Sequence, residues 1–369
     1  MNEVEVVYRG PFQSRRIRLI LDTIEHLGRP IHFVWMDPRT TAGEPPDFFV
    51  DFAESRPSLV RTTYLRGDLR SAPDALRALG RGRGARSDLV VAIGFTALVP
   101  ARLLRPRQLV WCINGIPEER LLHDGGRRAR LTVDGLWRSV QLGPRPDAVI
   151  TVSKPMSALV NSRLGVEQVL ELPTAVDRAV FRPQPKDDPP VLTYVGSGAP
   201  WQDLPLLGAV WREVARKHDD ATFLVVSRDD RAKAAIEDVP SNRAELVAGY
   251  GPDHVAELTA GATMGFVIRR PHVVNEVSFP TKFGEYVASG TQVVTTDIGW
   301  DLADIVRETG CGLLIDWRSD PGDVAGQILE HLESHPPADR AAGCAAAAKL
   351  LDRDRWIADV GRDLTRALA

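Results

Sequence analysis

The sequence predicts an α/β protein made of two successive parallel-sheet units. Short apolar runs alternate with amphipathic stretches along most of the chain, the pattern of strands joined by helical crossovers. Near the middle the alternation stops at Gln184-Pro185-Lys186-Asp187-Asp188-Pro189-Pro190, a charged, proline-rich segment suited to link two domains. It then restarts at Val191 and runs for a similar distance. At 369 residues the chain is long enough for two domains, each burying its own core.

In the first unit, apolar runs at 4–8, 31–36, 59–64, 89–93, 108–113 and 148–152 read as buried strands. Ser14 is placed to cap a helix that reaches about residue 27, where Gly28 stops it. Helices are also expected at 71–78 and 100–104, with a flexible connection at Gly80-Arg81-Gly82-Arg83-Gly84. In the second unit the strands fall at 191–195, 222–226, 245–248, 264–268, 293–296 and 312–315. Helices are expected at 204–217, 232–237, 253–259, 302–308, 321–331, 341–351 and 356–368. In the first of these, Leu206, Leu207, Val210 and Val214 share one side. The expected organisation is an N-terminal domain over 1–184, a second domain over 185–352, and a terminal segment over 353–369.

Composition narrows the function classes. Hydrophobic residues make up 44% and charged residues 26%, ordinary values for a globular protein. No apolar run approaches membrane-spanning length. Met1-Asn2-Glu3-Val4-Glu5-Val6-Val7 is acidic and enters a strand at once, without a signal-peptide pattern, so the expected location is cytoplasmic. Cys112, Cys311 and Cys344 are too far apart for a zinc site and odd in number, which fits small buried side chains. The eight histidines show no metal-ligand spacing, so neither a metal nor a cofactor is expected. Residues 1–185 carry 27 basic and 20 acidic side chains, whereas 186–369 carry 19 and 29. The basic first half is compatible with weak peripheral association with an anionic inner membrane face, although scattered solvating arginines explain it more simply. Nucleic-acid binding would need a strongly basic domain with interleaved aromatics, and neither is present. A nicotinamide dehydrogenase would need a G-x-G-x-x-G turn after the first strand, which is also missing.

The stretch from Asn275 to Gly290 carries the chemistry. A strand ending in Arg269-Arg270 leads into a polar loop, a short helix and another strand. Such a loop lies at the carboxyl edge of a parallel sheet, where ligands bind. Pro280 suits the first turn of the helix, Gly290 stops it, and Lys282 stands near its positive end. Lys282 and Glu285 share a face at i, i+3 spacing. That pairing suits a nucleotide sugar, with the lysine on the diphosphate and the carboxylate accepting from the ribose hydroxyls. Backbone N–H groups around Ser278 and Phe279, beside Pro280 and Thr281, are placed for phosphate or sugar oxygens.

Two stretches make the resemblance to a known family. Asp147-Ala148-Val149-Ile150-Thr151-Val152-Ser153, followed by 172–183, resembles the exit from the first domain of family 4 retaining glycosyltransferases. Phe279-Pro280-Thr281-Lys282-Phe283-Gly284-Glu285-Tyr286-Val287-Ala288-Ser289-Gly290 resembles that family's donor-site helix. The likeness covers about 147–316 well and 1–146 in outline. It implies the GT-B fold, in which two Rossmann-like parallel-sheet domains face each other across a cleft. It further implies a nucleotide-sugar donor on the second domain and an acceptor approaching from the first. Retention of anomeric configuration and independence of metals follow from the same likeness. So does a terminal helix, 356–369, that crosses back to the first domain.

The chain departs from the family at three places. Glu285 matches the second glutamate of the family's Glu, seven residues, Glu pattern, but the first position is Val277, with Glu276 one residue early. After Val195 the segment Gly196-Ser197-Gly198-Ala199-Pro200-Trp201-Gln202 lacks the arginine and lysine with which many relatives clamp the diphosphate. Arg269 and Lys282 are expected to supply that charge, while Gly196 and Ser197 allow close backbone approach. Asn114 stands where relatives often place a histidine, with Glu118 or Glu119 expected near the acceptor. The candidate catalytic residues are therefore Asn114, Glu276 and Lys282. Gly10 is expected to admit the donor phosphate, and Tyr250 to lie beside the base. The rivals are a nucleotide-sugar epimerase of similar architecture and a degenerate GT-B protein that binds without turnover.

Overall fold

The computed structural model describes residues 3–10, 14–37, 45–66, 87–186 and 189–369. The helix expected at 71–78 and the glycine–arginine connection at 80–84 lie outside them. By contacts the chain divides into two compact units: Met1–Pro173 with Arg355–Ala369, and Thr174–Asp354. The division falls at Pro173, ahead of the expected boundary at 184/185. Residues 174–186 pack with the second unit, because Val176 bridges to Asp352 and donates its N–H to the Leu351 carbonyl at 2.9 Å.

The first unit holds β1 (Val4–Arg9), β2 (Ile31–Asp37), β3 (Leu59–Arg66), β4 (Leu89–Ile93), β5 (Gln108–Cys112), β6 (Ala148–Thr151) and β7 (Val169–Glu171). All pair in parallel, in the order β3-β2-β1-β4-β5-β6-β7. Helical crossovers cover both faces of such a sheet, so its central strands read as continuous apolar runs. β4, Leu-Val-Val-Ala-Ile, is buried throughout. The chain steps outward from β1 to β3 and then returns to the other side of β1 as β4. That reversal leaves a crevice at the carboxyl ends of β1 and β4. Strand β7 and the helices Asp47–Glu54, Glu119–Asp124, Arg127–Gln141 and Lys154–Leu164 were not expected. The last helix begins at Ser153, whose hydroxyl accepts from the Met156 N–H, and closes at Gly165 in the left-handed region (φ 57°). The helix Arg353–Ala367 buries Ile357, Val360 and Leu364, and Gln108 Nε2 donates to the Leu368 carbonyl at 2.7 Å.

The second unit holds β8 (Val191–Val195), β9 (Thr222–Val226), β10 (Ala244–Val247), β11 (Met264–Val267), β12 (Gln292–Thr296) and β13 (Gly312–Ile315). These strands are also parallel, in the order β10-β9-β8-β11-β12-β13, so the reversal lies between β8 and β11. Helices Leu204–Lys217 and Pro321–Ser334 share one core cluster with the sheet. Trp211 is its centre, 5.3 Å from the Phe223 ring and edge-on to Phe266 at 5.4 Å. The helices Thr281–Ala288, Asp301–Thr309 and Pro337–Leu350 pack together against β11 to β13. Among the described residues no helix is long and apolar enough to cross a membrane, and no group of three or more His, Cys, Asp or Glu is placed to hold a metal.

Candidate functional site

The candidate site stands at the carboxyl ends of β8 and β11, where the second sheet reverses. Arg269 follows β11 and is buried, 7% exposed. Its Nη1 donates to Ser278 Oγ at 2.7 Å and to Asn275 Oδ1 at 3.3 Å, and its guanidinium lies 5.7 Å from the centre of the Trp300 ring. The strand end is fixed from β12: the Thr296 hydroxyl accepts from Arg269 N (3.0 Å) and donates to Arg269 O (2.6 Å). Asn275 ties the loop back, donating to the Arg270 carbonyl at 2.9 Å and the Trp201 carbonyl at 3.2 Å. Arg270 turns away to pair with the buried Asp203 at 2.6 Å. The hydrogen bond that Arg270 Nε donates to Asp203 raises the Arg270 pKa, so this cation is committed to a structural pair.

The loop contains the short helix Val273–Glu276, started by His272, whose ring nitrogen accepts from the Val274 N–H at 3.2 Å. Glu276 ends this helix and is half-buried, while Val277 packs into the interior at 4% exposed. The longer helix spans Thr281–Ala288, with Pro280 as its N-cap in an extended conformation. Pro280 therefore precedes the first turn rather than lying in it. Lys282, half-buried, stands in the first turn, and Glu285, 5% exposed, one turn later on the same side. The segment before them is anchored by the Thr174 hydroxyl, which donates to the Phe279 carbonyl at 2.8 Å.

Two contacts hold this helix at the reversal point. The Tyr286 hydroxyl accepts from the N–H of Val195, the last residue of β8, at 2.8 Å. Burial pushes the phenol pKa well up, so it stays neutral. Its ring lies over Gly265 in β11, where a Cβ would come within 2.5 Å of ring carbon. Glycine at 265 thus lets the helix settle onto the strand and brings its start toward the β8 and β11 exits.

The β8 exit is a tightly held turn. The Tyr194 hydroxyl donates to the Ser197 carbonyl at 2.7 Å, and the Gly198 N–H donates to Asp229 Oδ2 at 2.9 Å. Arg231 pairs with Asp229 at 2.7 Å. The hydrogen bonds from Arg231, and then those from backbone N–H groups, hold the Asp229 carboxyl down at about 2. Gly196 belongs to the same turn, its N–H donating to the Val226 carbonyl at 3.1 Å. After β10, Tyr250 is 61% exposed, stacked on His254 at 6.1 Å with the Arg228 guanidinium 5.7 Å from its ring centre.

Within the first unit, Gly10 leaves β1 with φ 152°, its N–H bonded to the Met36 carbonyl and its own carbonyl to Trp35 Nε1. Asn114 follows β5 and is half-buried. Glu118 was expected near an acceptor, but its Oε1 accepts from the buried Trp137 indole at 2.9 Å, which gives it a structural task. The structure thus gathers Arg269, Ser278, Phe279, Pro280, Thr281, Lys282 and Glu285 on one strand–loop–helix segment, with Gly196 and Ser197 on the adjoining exit. Sequence reasoning missed Asn275, Thr296 and Trp300. Only Asn275 carried a signal, as a polar residue after the apolar Val273-Val274.

Comparisons with known proteins bear on the family and the fold. Residues 189–334, most of the second unit, match the family model described as glycosyl transferases group 1. No curated protein matches the chain at a significant level. Among solved structures, sucrose-phosphate synthase from Thermosynechococcus elongatus is similar at 16% identity and TM-score 0.71, covering 99% of this chain and 98% of that one. The Anabaena protein HepE, in complex with UDP-glucose, is similar at 14% identity and TM-score 0.70, covering 98% and 99%. An α,α-trehalose-phosphate synthase (UDP-forming) from Burkholderia vietnamiensis follows at 13% identity and TM-score 0.67, covering 100% and 98%. The chain has the two-sheet α/β fold of GT-B glycosyltransferases, and the family match over its second unit supports sugar transfer.

Proposed function

We propose that this chain is a retaining, metal-independent glycosyltransferase of family 4 type, using a nucleotide-diphosphate sugar. The observation that carries the reading is the Arg269–Ser278–Lys282–Glu285 segment at the β8/β11 reversal. It puts two cations and a carboxylate on one short stretch of chain beside a glycine turn. Lys282 and Arg269 neutralise the diphosphate, and the N–H groups of Phe279 and Thr281 take its oxygens; the Ser278 N–H, expected for this role, is given to the Asn275 carbonyl at 3.1 Å. Glu285 accepts from the ribose hydroxyls, and Tyr250 offers a ring face to the base. Glu276 is the candidate for the sugar hydroxyls, in place of the family glutamate that Val277 lacks. Asn114 hydrogen-bonds the donor sugar where relatives place a histidine, and Gly10 admits the phosphate.

The acceptor oxygen bonds to the anomeric carbon on the face from which the diphosphate departs. The bond from that carbon to the diphosphate oxygen breaks, and the acceptor proton passes to that leaving oxygen. The products are the glycosylated acceptor and a nucleoside diphosphate. No protein nucleophile is required. The protein's contribution is fixed positive charge where negative charge develops, which is the position of Lys282 and Arg269 in this reading. The HepE complex makes UDP-glucose the first donor to test. The acceptor is a glycan, a glycolipid or a secondary metabolite, and the site of action is the cytoplasm.

A binding protein without turnover is the second reading. It is favoured by the buried Val277 and by Asp229 accepting from the Gly198 N–H, so that a carboxylate rather than a cation pair meets the β8 exit. A thermal-shift screen with UDP, GDP, ADP and dTDP, followed by NMR of products from the matching sugar nucleotides, separates the readings. A nucleotide at about a hundred times its Kd adds about 2.7 kcal/mol of stability. One nucleotide is expected to stabilise the protein, and its sugar to be released or transferred with the anomeric configuration kept. Stabilisation without turnover, even with acceptor extracts, leaves the binding protein. Reversible isomerisation without nucleotide release points to an epimerase.

A further inference from the structure

A cavity of about 330 Å³ opens in the second unit away from the site described above. Thr263, directly before β11, and Gln292, the first residue of β12, line it. It therefore lies at the amino ends of the strands, on the opposite edge of the sheet from Arg269. Its volume is in the lower part of the range of small-molecule pockets, roughly 300–1,000 Å³. Beyond Pro337 and Arg340 in its first turn, the helix Pro337–Leu350 presents small side chains there, Ala341, Ala345 and Ala348 at i, i+4 and i+7, which leaves the space open. Phe181 and Val287 supply larger apolar walls.

Three cations line this apolar space and no carboxylate does: Arg178, Lys186 and Arg340. Arg178 is shared with Asp352 at 3.3 Å. Lys186 Nζ donates to the Ala260 carbonyl at 2.6 Å and the Thr291 hydroxyl at 3.2 Å, which uses two of its three hydrogens. Burial brings its pKa down to about 8, so it stays mostly protonated at neutral pH. The Arg340 carbonyl accepts from Gln292 Nε2 at 3.1 Å, and its guanidinium has no ion-pair partner among the described residues. The amide of Gln292 is fully engaged, since its oxygen meets His331 Nε2 at 2.5 Å.

We propose that this cavity is a binding site for a small organic carboxylate with an apolar body. The carboxylate meets the Arg340 fork, whose planar donors match its two oxygens, together with the third Lys186 hydrogen. The body lies against Phe181, Val287 and the alanine face. Apolar walls select against bare phosphate and against sugars, whose hydroxyls find few partners there.

Fluorine NMR of 4-fluorobenzoate with the nucleotide-free protein tests the site independently of the donor reading. Saturable binding is expected for 4-fluorobenzoate and not for 4-fluorobenzamide, which keeps the shape and loses the charge. Arg340→Gln should weaken binding about tenfold or more, the loss of a charge-assisted hydrogen bond. It leaves the backbone carbonyl bond to Gln292 in place. Ala345→Trp, at an exposed helical position, should fill the cavity and abolish binding with the fold intact by circular dichroism. Inorganic phosphate at equal concentration should not displace the probe. The proposal is overturned by equal binding of the benzamide, by unchanged affinity in both folded variants, or by displacement with phosphate.

Discussion

Arg269 is the residue on which the loop depends. It is buried beside Ser278 and Asn275, and both lose a charged donor if it is removed. An Arg269→Met variant should lose about 1–3 kcal/mol of stability, the range for stranding buried hydrogen-bonding groups. Thermal or urea denaturation reads this directly, and unchanged stability would contradict the network. From sequence, Arg269 stood out because it ends a strand at the ligand edge. Its partners were not legible, because serine and asparagine in a loop have many local options. The structural use of Glu118 was hidden for a related reason: its partner, Trp137, belongs to the helix Arg127–Gln141, whose arginines obscure its apolar face.

At the scale of elements, the helix Thr281–Ala288 is positioned by what it lies on. Gly265→Ala would drive a methyl group into the Tyr286 ring and strain the bond from Val195 N to the Tyr286 hydroxyl. The cost is expected at about 1–3 kcal/mol, the range for overpacking a filled core. The nucleotide stabilisation expected in thermal shift should fall with it, since the helix start moves. A variant with wild-type melting and wild-type nucleotide response would show that the contact does not position the helix. Strands were easily read from sequence, because both faces of a parallel sheet are covered. Helix Arg127–Gln141 was not, although Ala129, Val133, Trp137 and Val140 mark a buried face. Its arginines and Gly135 dilute the periodicity that a window senses. Helix Lys154–Leu164 had clear end signals in Ser153, Pro155 and Gly165, but little amphipathic pattern between them. The four-residue helix Val273–Glu276 is too short to leave a periodic trace.

For the whole molecule, the tail and two buried histidines govern stability. Removing Arg355–Ala369 uncovers the surface that Ile357, Val360 and Leu364 bury, at about 1.5–3 kcal/mol for each fully buried side chain. Such a truncation should melt lower and be cut by protease at lower concentrations than the full chain. Equal resistance would show that the tail is dispensable to its unit. Burial lowers the pKa of His331 to about 4, helped by His335 and Arg340, and lowers that of His32 to about 4, helped by Arg61. Both titrate near 6.5 when unfolded. Between those values the unfolded chain binds more protons, so their contribution is complete above about 6.5 and is lost as the pH falls toward 4. Replacing His331 with Gln should flatten the fall in melting temperature over that window; an unchanged slope would contradict the assignment. The two-unit architecture was legible from the restart at Val191. The division at Pro173 was not, because residues 174–186 are irregular and their contacts to the second unit are long-range.

The central claim is that the segment from Arg269 to Glu285 binds the diphosphate and ribose of a sugar nucleotide. Calorimetry on wild type and Lys282→Ala, with the stabilising nucleoside diphosphate and with its nucleoside, tests it most directly. A lost charge-assisted bond of about 1.5–3 kcal/mol should weaken the diphosphate by about tenfold or more. The nucleoside, held through Glu285 and the base, should bind the variant as it binds the wild type. Equal losses for both ligands, or none for either, would contradict the account.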